Sequence, residues 1–253
     1  MLPPALLLVA LIGAWELYVY LGAVEPSVLP APHAMASALW DNAGVVWSNF
    51  KITAEEVVLG LTLSLLGGFA IAVAVHLSPL FRRAVYPLAV GSQAVPIAVI
   101  APLLVFWWGF GIAPKLVVIA LICFFPVLVT TVDGLASVDP DQVKLLRTLD
   151  ASRWQAFRFA ELPAALPAAL SGARIAIAVG VIAAFIAESE GVTVGPYGGL
   201  GREIVTDLSS LQNPRAWGAA AVLCIFAIAC FYTLAFAERK LAPWSAQPKG
   251  SRP

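Results

Sequence analysis

Charged residues are scarce in this chain of 253 residues. Asp, Glu, Lys and Arg make up 12% of it, about half of the share that a soluble domain carries. The charges balance to a formal net charge of zero, so the composition does not indicate binding to nucleic acid. Hydrophobic residues make up 60% and form long uncharged runs, which predicts an integral membrane protein in contact with membrane lipid.

Residues with metal-binding, nucleophilic or phosphate-binding chemistry are equally sparse. The two histidines, His33 and His76, are isolated from each other, so we expect no metal site. The three cysteines, Cys123, Cys224 and Cys230, all lie in apolar runs, where free thiols are expected to pack in the core. The glycine-rich segment from residue 191 lacks the Gly-Lys-Ser/Thr of a phosphate-binding loop. The sequence therefore predicts no cofactor, no nucleotide site and no enzyme activity.

Six apolar runs are each close to the roughly 20 residues that a helix needs to cross a bilayer. Little sequence remains outside them, which favours a single membrane domain over residues 1–253. The predicted fold class is an all-α integral membrane protein. The predicted spans are Leu2–Leu21, Val57–Val75, Ala84–Pro114, Leu116–Val132, Leu162–Ala187 and Ala216–Ala237.

Lysine and arginine are distributed unevenly between the two sides of these spans. Ten of them fall in the turn at 81–83, in the segment 133–161 and in the C-terminal tail, whereas Lys51, Lys115, Arg202 and Arg215 fall on the other side. Because basic residues accumulate on the cytoplasmic side of membrane proteins, both termini are predicted to be cytoplasmic. Segments 22–52 and 188–215 then form the loops of the outer face.

The segment 139–163 combines basic and aromatic residues with clear helix-start signals. Asp139 precedes Pro140 and can cap a first helix, and Ser152 with Gln155 reads as the capping box of a second. Asp150 lies in the tight break between the two helices, and the second is expected to end at Leu162-Pro163. If this segment were only a solvated loop, its charges would be explained but its other features would not. An exposed helical hairpin that docks on another protein also explains the caps, the break and the aromatics.

The stretch "LLRTLDASRWQAFRFAELPAALPAAL" resembles the cytoplasmic coupling loop of binding-protein-dependent ABC importer permeases. The pattern of that family is Glu-Ala-Ala, three residues, Gly, about nine residues, then an aliphatic residue and Leu-Pro. Here Lys144-Leu145-Leu146 replaces Glu-Ala-Ala, which removes one expected ATPase contact, and Asp150 replaces the Gly. Asp tolerates the left-handed geometry of such a turn. The resemblance implies an ATPase-coupling role for Lys144, Arg147, Asp150, Ser152, Arg153, Trp154, Gln155, Phe157, Arg158, Leu162 and Pro163.

Further stretches, among them "LPAPHAMASALW" and "GVTVGPYGGLG", look like the nitrate/sulfonate/taurine branch of these permeases. Glu56, Phe124-Phe125-Pro126 and the segment 131–135 look more like permeases for thiamine pyrimidine precursors or riboflavin. The resemblance implies a type I importer fold in a bacterial inner membrane. It also implies a pore made of two permease copies, separate ATPase subunits on the hairpins, and a periplasmic or lipid-anchored binding protein that delivers a small organic solute or anion.

Polar residues inside apolar runs are candidates for the translocation pathway, because they are costly in lipid. Gln93 lies beside Ser92 and shortly before Pro96, whose ring frees a backbone carbonyl for a cavity. The alternative for Gln93 is a hydrogen bond to a neighbouring helix. Glu188, at the outer end of the fifth run, is a candidate gate or binding-protein contact, and the alternative is interfacial solvation.

A proton- or ion-coupled secondary transporter is the main alternative function. Such a carrier is expected to hold several ionisable residues at mid-membrane, and the runs contain only Glu16, Arg174 and the helix-end residues Glu55 and Glu56.

Two spans carry small residues at four-residue spacing, which allows close helix packing either within the chain or between subunits. These residues are Gly60, Ser64 and Gly68, and Gly172, Ala176 and Gly180.

Overall fold

The computed structural model describes residues 4–22, 24–25, 27–190 and 198–242. Every regular element in these ranges is helical, as predicted. The helices are α1 (Pro4–Tyr20), α2 (Pro32–Asp41), α3 (Ala43–Leu77), α4 (Pro79–Ser92), α5 (Ile97–Trp108), α6 (Ile112–Ala136), α7 (Pro140–Thr148), α8 (Arg153–Ala156), a π turn (Phe157–Glu161), α9 (Leu162–Glu190), α10 (Gly199–Ser209) and α11 (Asn213–Leu241).

Among the described residues, fewer helices have the length and hydropathy of a membrane span than the six apolar runs predict. In the described ranges, four helices are long and apolar enough: α3, α6, the continuous helix Arg153–Ser189, and α11. A fifth span results if α4 and α5, which meet at 102°, are counted together. The predicted run Ala84–Pro114 is thus divided between two helices, because Pro96 disfavours helical geometry at the residue before it. α1 is apolar and has 17 described residues, which is at the lower end of the range for a membrane span.

The bundle core forms where α6 packs between α3 and α9. A Cβ added at Gly60 would lie 2.6 Å from the Ile119 side chain, and one at Gly68 would lie 2.9 Å from the Phe124 carbonyl oxygen. On α9, a Cβ at Gly172 would lie 2.9 Å from the Pro126 carbonyl oxygen. These small residues therefore let the three helices approach closely within one chain, and of the two readings left open by the sequence, intrachain packing is confirmed.

The cysteines do not share one environment. Cys123 is fully buried in the core, and its thiol donates a hydrogen bond to the Ala176 carbonyl oxygen at 3.3 Å. Cys224 is exposed and Cys230 is half-buried on α11. The expected core packing is wrong for Cys224, because α11 buries only a small part of its surface against the rest of the chain.

The second helix of the hairpin (residues 139–163) does not end at Leu162-Pro163, which corrects the prediction. It continues through the π turn into α9, so that Arg153–Ser189 is one long helix. A proline ring clashes with the carbonyl four residues earlier in a regular α-helix, and for Pro163 that residue, Phe159, lies in the wider π turn. The hairpin is therefore continuous with a membrane-spanning helix.

The bundle has two ends. The hairpin end carries α7, α8 and the last turn of α3. The opposite end carries α2, α10, the start of α6 and the last turn of α9. The predicted outer-face segment 22–52 contains α2 and the first part of α3, and the segment 188–215 contains α10. Residues 191–197 of its glycine-rich stretch lie outside the described ranges, as do residues 243–253 of the C-terminal tail.

Candidate functional site

Both helices of the hairpin begin with the caps that the sequence predicts. The Asp139 side chain accepts a hydrogen bond from the Asp141 backbone N–H at 2.9 Å. The Ser152 hydroxyl accepts from the Gln155 N–H at 3.3 Å, and the Gln155 Oε1 accepts from the Ser152 N–H at 2.7 Å. Such reciprocal bonds satisfy two backbone donors that the first turn of a helix leaves free. They define where each helix of the hairpin starts.

The break between the helices is a left-handed helix cap centred on Asp150. Its φ is 58°, which confirms the predicted geometry. The Ala151 N–H donates to the Leu146 carbonyl at 3.1 Å, and the Asp150 N–H donates to the Arg147 carbonyl at 3.1 Å. This pair of bonds is the Schellman arrangement, in which glycine usually occupies the left-handed position. Asp150 therefore replaces the family's glycine without loss of the turn.

The base of the hairpin is fixed to the rest of the chain. Phe157 is buried, 3% exposed, and packs with Leu135 and Ala165. The expectation that Phe157 projects outward for docking is therefore wrong, because this position faces α6 and α9. The Arg153 guanidinium donates a hydrogen bond to the Leu77 carbonyl at the C-terminus of α3, at a distance of 2.9 Å. This bond satisfies a carbonyl that has no partner within the helix.

A second tie at the hairpin end joins α3 to the π turn. His76 Nε2 and Glu161 Oε2 are 2.8 Å apart. The two histidines are distant from each other, as the sequence indicates, and His33 Nδ1 likewise contacts a glutamate, Glu16 Oε1, at 2.5 Å at the opposite end. Both pairs join residues far apart in the chain, so sequence spacing could not reveal them.

Most of the residues predicted to couple to an ATPase are exposed. Trp154 stacks on Phe157 with ring centroids 5.3 Å apart while 59% of its surface stays accessible. The hairpin also exposes the apolar side chains of Leu145, Leu149 and Phe159. The other exposed members of the predicted set are Lys144, Arg147, Asp150, Ser152, Arg153, Gln155, Arg158 and Pro163, whereas Leu162 is half-buried.

At the opposite end, Glu188 is fully buried, so interfacial solvation does not describe it. The Thr53 hydroxyl donates to Glu188 Oε1 at 2.6 Å, and the Gly201 N–H donates to Oε2 at 2.6 Å. The same Thr53 oxygen accepts from the Leu200 N–H at 2.9 Å. Glu188 and Thr53 thus accept hydrogen bonds from the N-terminus of α10, where the first backbone N–H groups of a helix have no acceptor within the helix.

The glycines of α10 make room for this carboxylate. Gly199 has a φ of 69°, and a Cβ there would overlap Glu188 Oε1. A Cβ at Gly201 would lie 2.7 Å from Glu188 Oε2. The "GGLG" stretch is therefore explained by close approach to a carboxylate of the same chain and, at Gly199, by a backbone geometry that favours glycine.

A buried ion pair adjoins this site. Lys115 Nζ and Glu56 Oε1 are 2.7 Å apart, and both side chains are at most 3% exposed. The sequence interpretation placed Lys115 in an outer loop and missed the pair. The sequence does contain a signal for this pair. Glu56 on α3 and Lys115 on α6 carry opposite charges on the same side of the predicted spans, and a charge buried in the membrane needs a partner. A second missed pair, Arg174 with Glu238, joins α9 to α11.

A polar cavity of about 520 Å³ lies between α3, α10 and α11 at this end. The Arg215 guanidinium donates to Asp207 at 2.6 Å, and Asn49 donates to Glu203 at 2.7 Å. Burial, with a smaller contribution from nearby Asp207, raises the pKa of the Glu203 carboxyl, although the Asn49 hydrogen bond opposes this. Most of these polar groups are bonded to one another across helices, which holds α10 against the bundle.

The structure places the predicted pathway residues in two separate regions. Ser92, Gln93 and Pro96 lie at the bend between α4 and α5, where Gln93 and Pro96 are exposed. Ser92 donates to the Ala89 carbonyl of its own helix at 2.7 Å. Glu188 instead belongs to the buried contact with α3 and α10.

Residues 64–243 match the family model described as "Binding-protein-dependent transport system inner membrane component". A "Probable ABC transporter permease protein" of Haemophilus influenzae is 32% identical over 92% of this chain and 94% of its own length. The formylaminopyrimidine transport permease protein ThiX of Halalkalibacterium halodurans is 31% identical, over 96% of each chain. The riboflavin transport system permease protein RibX of Chloroflexus aurantiacus is 29% identical, over 97% and 90%.

Solved structures share the fold. The chain described as "Crystal structure of an amino acid ABC transporter with histidines" aligns with a TM-score of 0.64 at 18% identity, over 80% of this chain and 96% of that one.

The taurine transport system permease protein TauC of Escherichia coli is 29% identical over 95% of this chain and 88% of its own length, which extends the sequence match to the sulfonate and taurine branch. The chain thus belongs to the binding-protein-dependent inner-membrane transport components, as an ABC importer permease of the sulfonate, taurine and thiamine-precursor branch.

Proposed function

We propose that this permease imports a small organic solute through a pore formed by two of its copies, and that its hairpin transmits the movement of the ATPase. As an ABC importer permease it works with separate ATPase and substrate-binding subunits. The observation that carries the proposal is the hairpin itself. It is defined by two caps and a left-handed turn, and it is continuous with a membrane-spanning helix.

The exposed surface of the hairpin suits a protein partner. Trp154, Leu149 and Phe159 are each more than half exposed, and a water-exposed apolar cluster of this kind favours burial in a partner's groove. Arg147 and Arg158 flank these side chains and can pair with carboxylates of the ATPase. The contacts of Arg153 and Phe157 with the bundle hold this surface in place. Because Trp154 lies on the same continuous helix as α9, a displacement of Trp154 is transmitted directly to α9.

We assign the pathway to the bend between α4 and α5, facing a second copy. Gln93 and Pro96 are exposed on the single chain, together with Val95 and Val99. In lipid, an exposed Gln side chain is costly, so a water-filled pathway between two copies accounts for its position. Because Glu188 is buried in the contact with α3 and α10, we assign it no direct substrate contact.

For the substrate we favour a thiamine pyrimidine precursor or a riboflavin-like molecule, with sulfonates, taurine or nitrate next. The relatives named for formylaminopyrimidine and riboflavin transport support the first choice, and the one named for taurine supports the second. Glu56, one of the residues that suggested the thiamine-precursor branch, is paired with Lys115 in the interior, so the choice depends on the relatives.

The orientation follows from the same proposal. The hairpin end, with its basic residues, faces the cytoplasm together with both termini, and α10 faces the exterior. Fusing an alkaline phosphatase reporter to the C-terminus should give an inactive reporter, and fusing green fluorescent protein there should give a fluorescent one. The reverse pattern would contradict this orientation.

The coupling role is tested by Trp154→Ala. The permease should still insert, because Trp154 is mostly exposed, but its ATPase should no longer co-purify. The matched control is Trp40→Ala, because Trp40 is 84% exposed at the opposite end of the chain. This control should retain the ATPase. Equal co-purification in the two variants would refute docking through the hairpin.

A further inference from the structure

The Thr53 hydroxyl joins three helices at the end of the bundle opposite the hairpin. It lies on α3, donates to Glu188 on α9, and accepts from the Leu200 N–H on α10. The second Glu188 oxygen accepts from the Gly201 N–H of α10. One buried hydroxyl and one buried carboxylate therefore hold three elements that are far apart in sequence.

This contact is one end of a long connection. Arg153, in the hairpin, and Glu188 lie on the same continuous helix, Arg153–Ser189. A displacement of this helix relative to α3 changes the distance from Glu188 to Thr53. Because Thr53 and Glu188 both bind the start of α10, such a displacement cannot leave α10 in its present position with all three hydrogen bonds intact.

The hydrogen bonds between Thr53, Glu188 and the start of α10 are costly to break because they are buried. A buried polar group that loses its hydrogen-bond partner is left unsatisfied, which is costly away from water. Gly199 and Gly201 leave no room for a side chain between α10 and the carboxylate. α10 therefore follows Glu188 more readily than it separates from it.

We propose that Thr53 and Glu188 form a latch through which movement of the hairpin, carried along α9, displaces α10 on the outer face. They act as positioning residues for transport, with no contact to substrate. The inference rests on the proposed coupling role of the hairpin. It adds that the ATPase controls the position of α10, which is part of the surface presented to the binding protein.

The test follows the outer end of α10 in the assembled transporter, reconstituted in liposomes with its ATPase. In a background with Cys123, Cys224 and Cys230 replaced by Ala, Leu208→Cys places a thiol at an exposed position of α10. Its reaction rate with a membrane-impermeant maleimide is measured without nucleotide and after trapping with ATP and vanadate. With Thr53 and Glu188 unchanged, the labelling rate of Leu208→Cys should differ between the nucleotide-free and the ATP–vanadate-trapped transporter.

Thr53→Val removes the hydroxyl at nearly constant volume, and Thr53→Ser retains it. The Val variant should keep its ATPase, since the hairpin is at the other end, but the ATP-dependent change in labelling should fall roughly tenfold because two buried hydrogen bonds are lost. The Ser variant should restore it. The matched control is Thr131→Val, because Thr131 is fully buried and its hydroxyl has no hydrogen-bond partner within the described ranges.

Three results would overturn the latch. The first is an ATP-dependent change in Thr53→Val equal to that in Thr131→Val. The second is a defect in Thr53→Ser as large as that in Thr53→Val, because the hydroxyl would then not be the group that matters. The third is loss of the ATPase from Thr53→Val, which would make the contact a requirement for assembly. Failure of the hairpin proposal is seen separately, as normal co-purification and labelling in Trp154→Ala.

Discussion

The turn at Asp150 offers a quantitative test of how the hairpin is built. Left-handed geometry costs an L-residue roughly 1–2 kcal/mol, and Asp tolerates it better than most residues. Asp150→Gly removes this cost but gives the unfolded chain more freedom, which offsets about 0.4–1 kcal/mol. We therefore expect Asp150→Gly to be close to neutral. Asp150→Val places a β-branched side chain at a φ of 58°, where such residues are genuine outliers.

The cost for Val translates into weaker ATPase binding. If Val adds about 1.5 kcal/mol to the cost of the turn, the equilibrium constant for forming the correct geometry falls about tenfold. The apparent affinity falls by up to the same factor, because the ATPase must then supply the free energy that forms the turn. Titrating nanodisc-embedded permease with purified ATPase measures the shift directly. An unchanged midpoint for Asp150→Val, or a tenfold weaker one for Asp150→Gly, would refute the role of the left-handed turn.

Three further predictions concern stability, the α10 contact and the energy source. Phe157→Ala should lower thermal stability, because truncating a buried Phe costs about 3–5 kcal/mol; an unchanged melting temperature in detergent would contradict the buried position. Gly199→Ala should lower the yield of folded protein far more than Gly67→Ala, since a Cβ at Gly67 meets open space; equal yields would argue against the Glu188 contact. Liposomes with the permease alone should take up neither labelled riboflavin nor taurine under a proton gradient, and gradient-driven uptake would instead support the secondary carrier.

The local features of the hairpin could be predicted because each depends on residues adjacent in the chain. The Asp139 cap, the Ser152–Gln155 capping box and the left-handed Asp150 are all confirmed. Each involves backbone groups within a few residues of the side chain concerned. The helical fold class was equally accessible, because runs of apolar residues need no partner to be recognised.

The predictions that failed depend on how helices continue and pack. Pro163 reads as a helix stop, yet a π turn lets the helix continue. Phe157 reads as one of three exposed hairpin aromatics, yet it faces α6 and α9. Cys224 reads as a core residue because it lies in an apolar run, but in a membrane protein an apolar run does not say which side faces the protein and which faces lipid.

The sequence by itself determined the membrane class, the family and the turns of the hairpin, because hydropathy and helix caps are properties of short continuous segments. Only the tertiary structure decided that Thr53, Glu188 and the start of α10 meet, and that Lys115 is buried against Glu56. These contacts span up to 147 positions of the chain, as between Thr53 and Leu200. They depend on the rotation and depth of each helix in the bundle, which are set by close packing at Gly60, Gly68 and Gly172. The four-residue spacing of such small residues is visible in the sequence, but it does not say which helices they join.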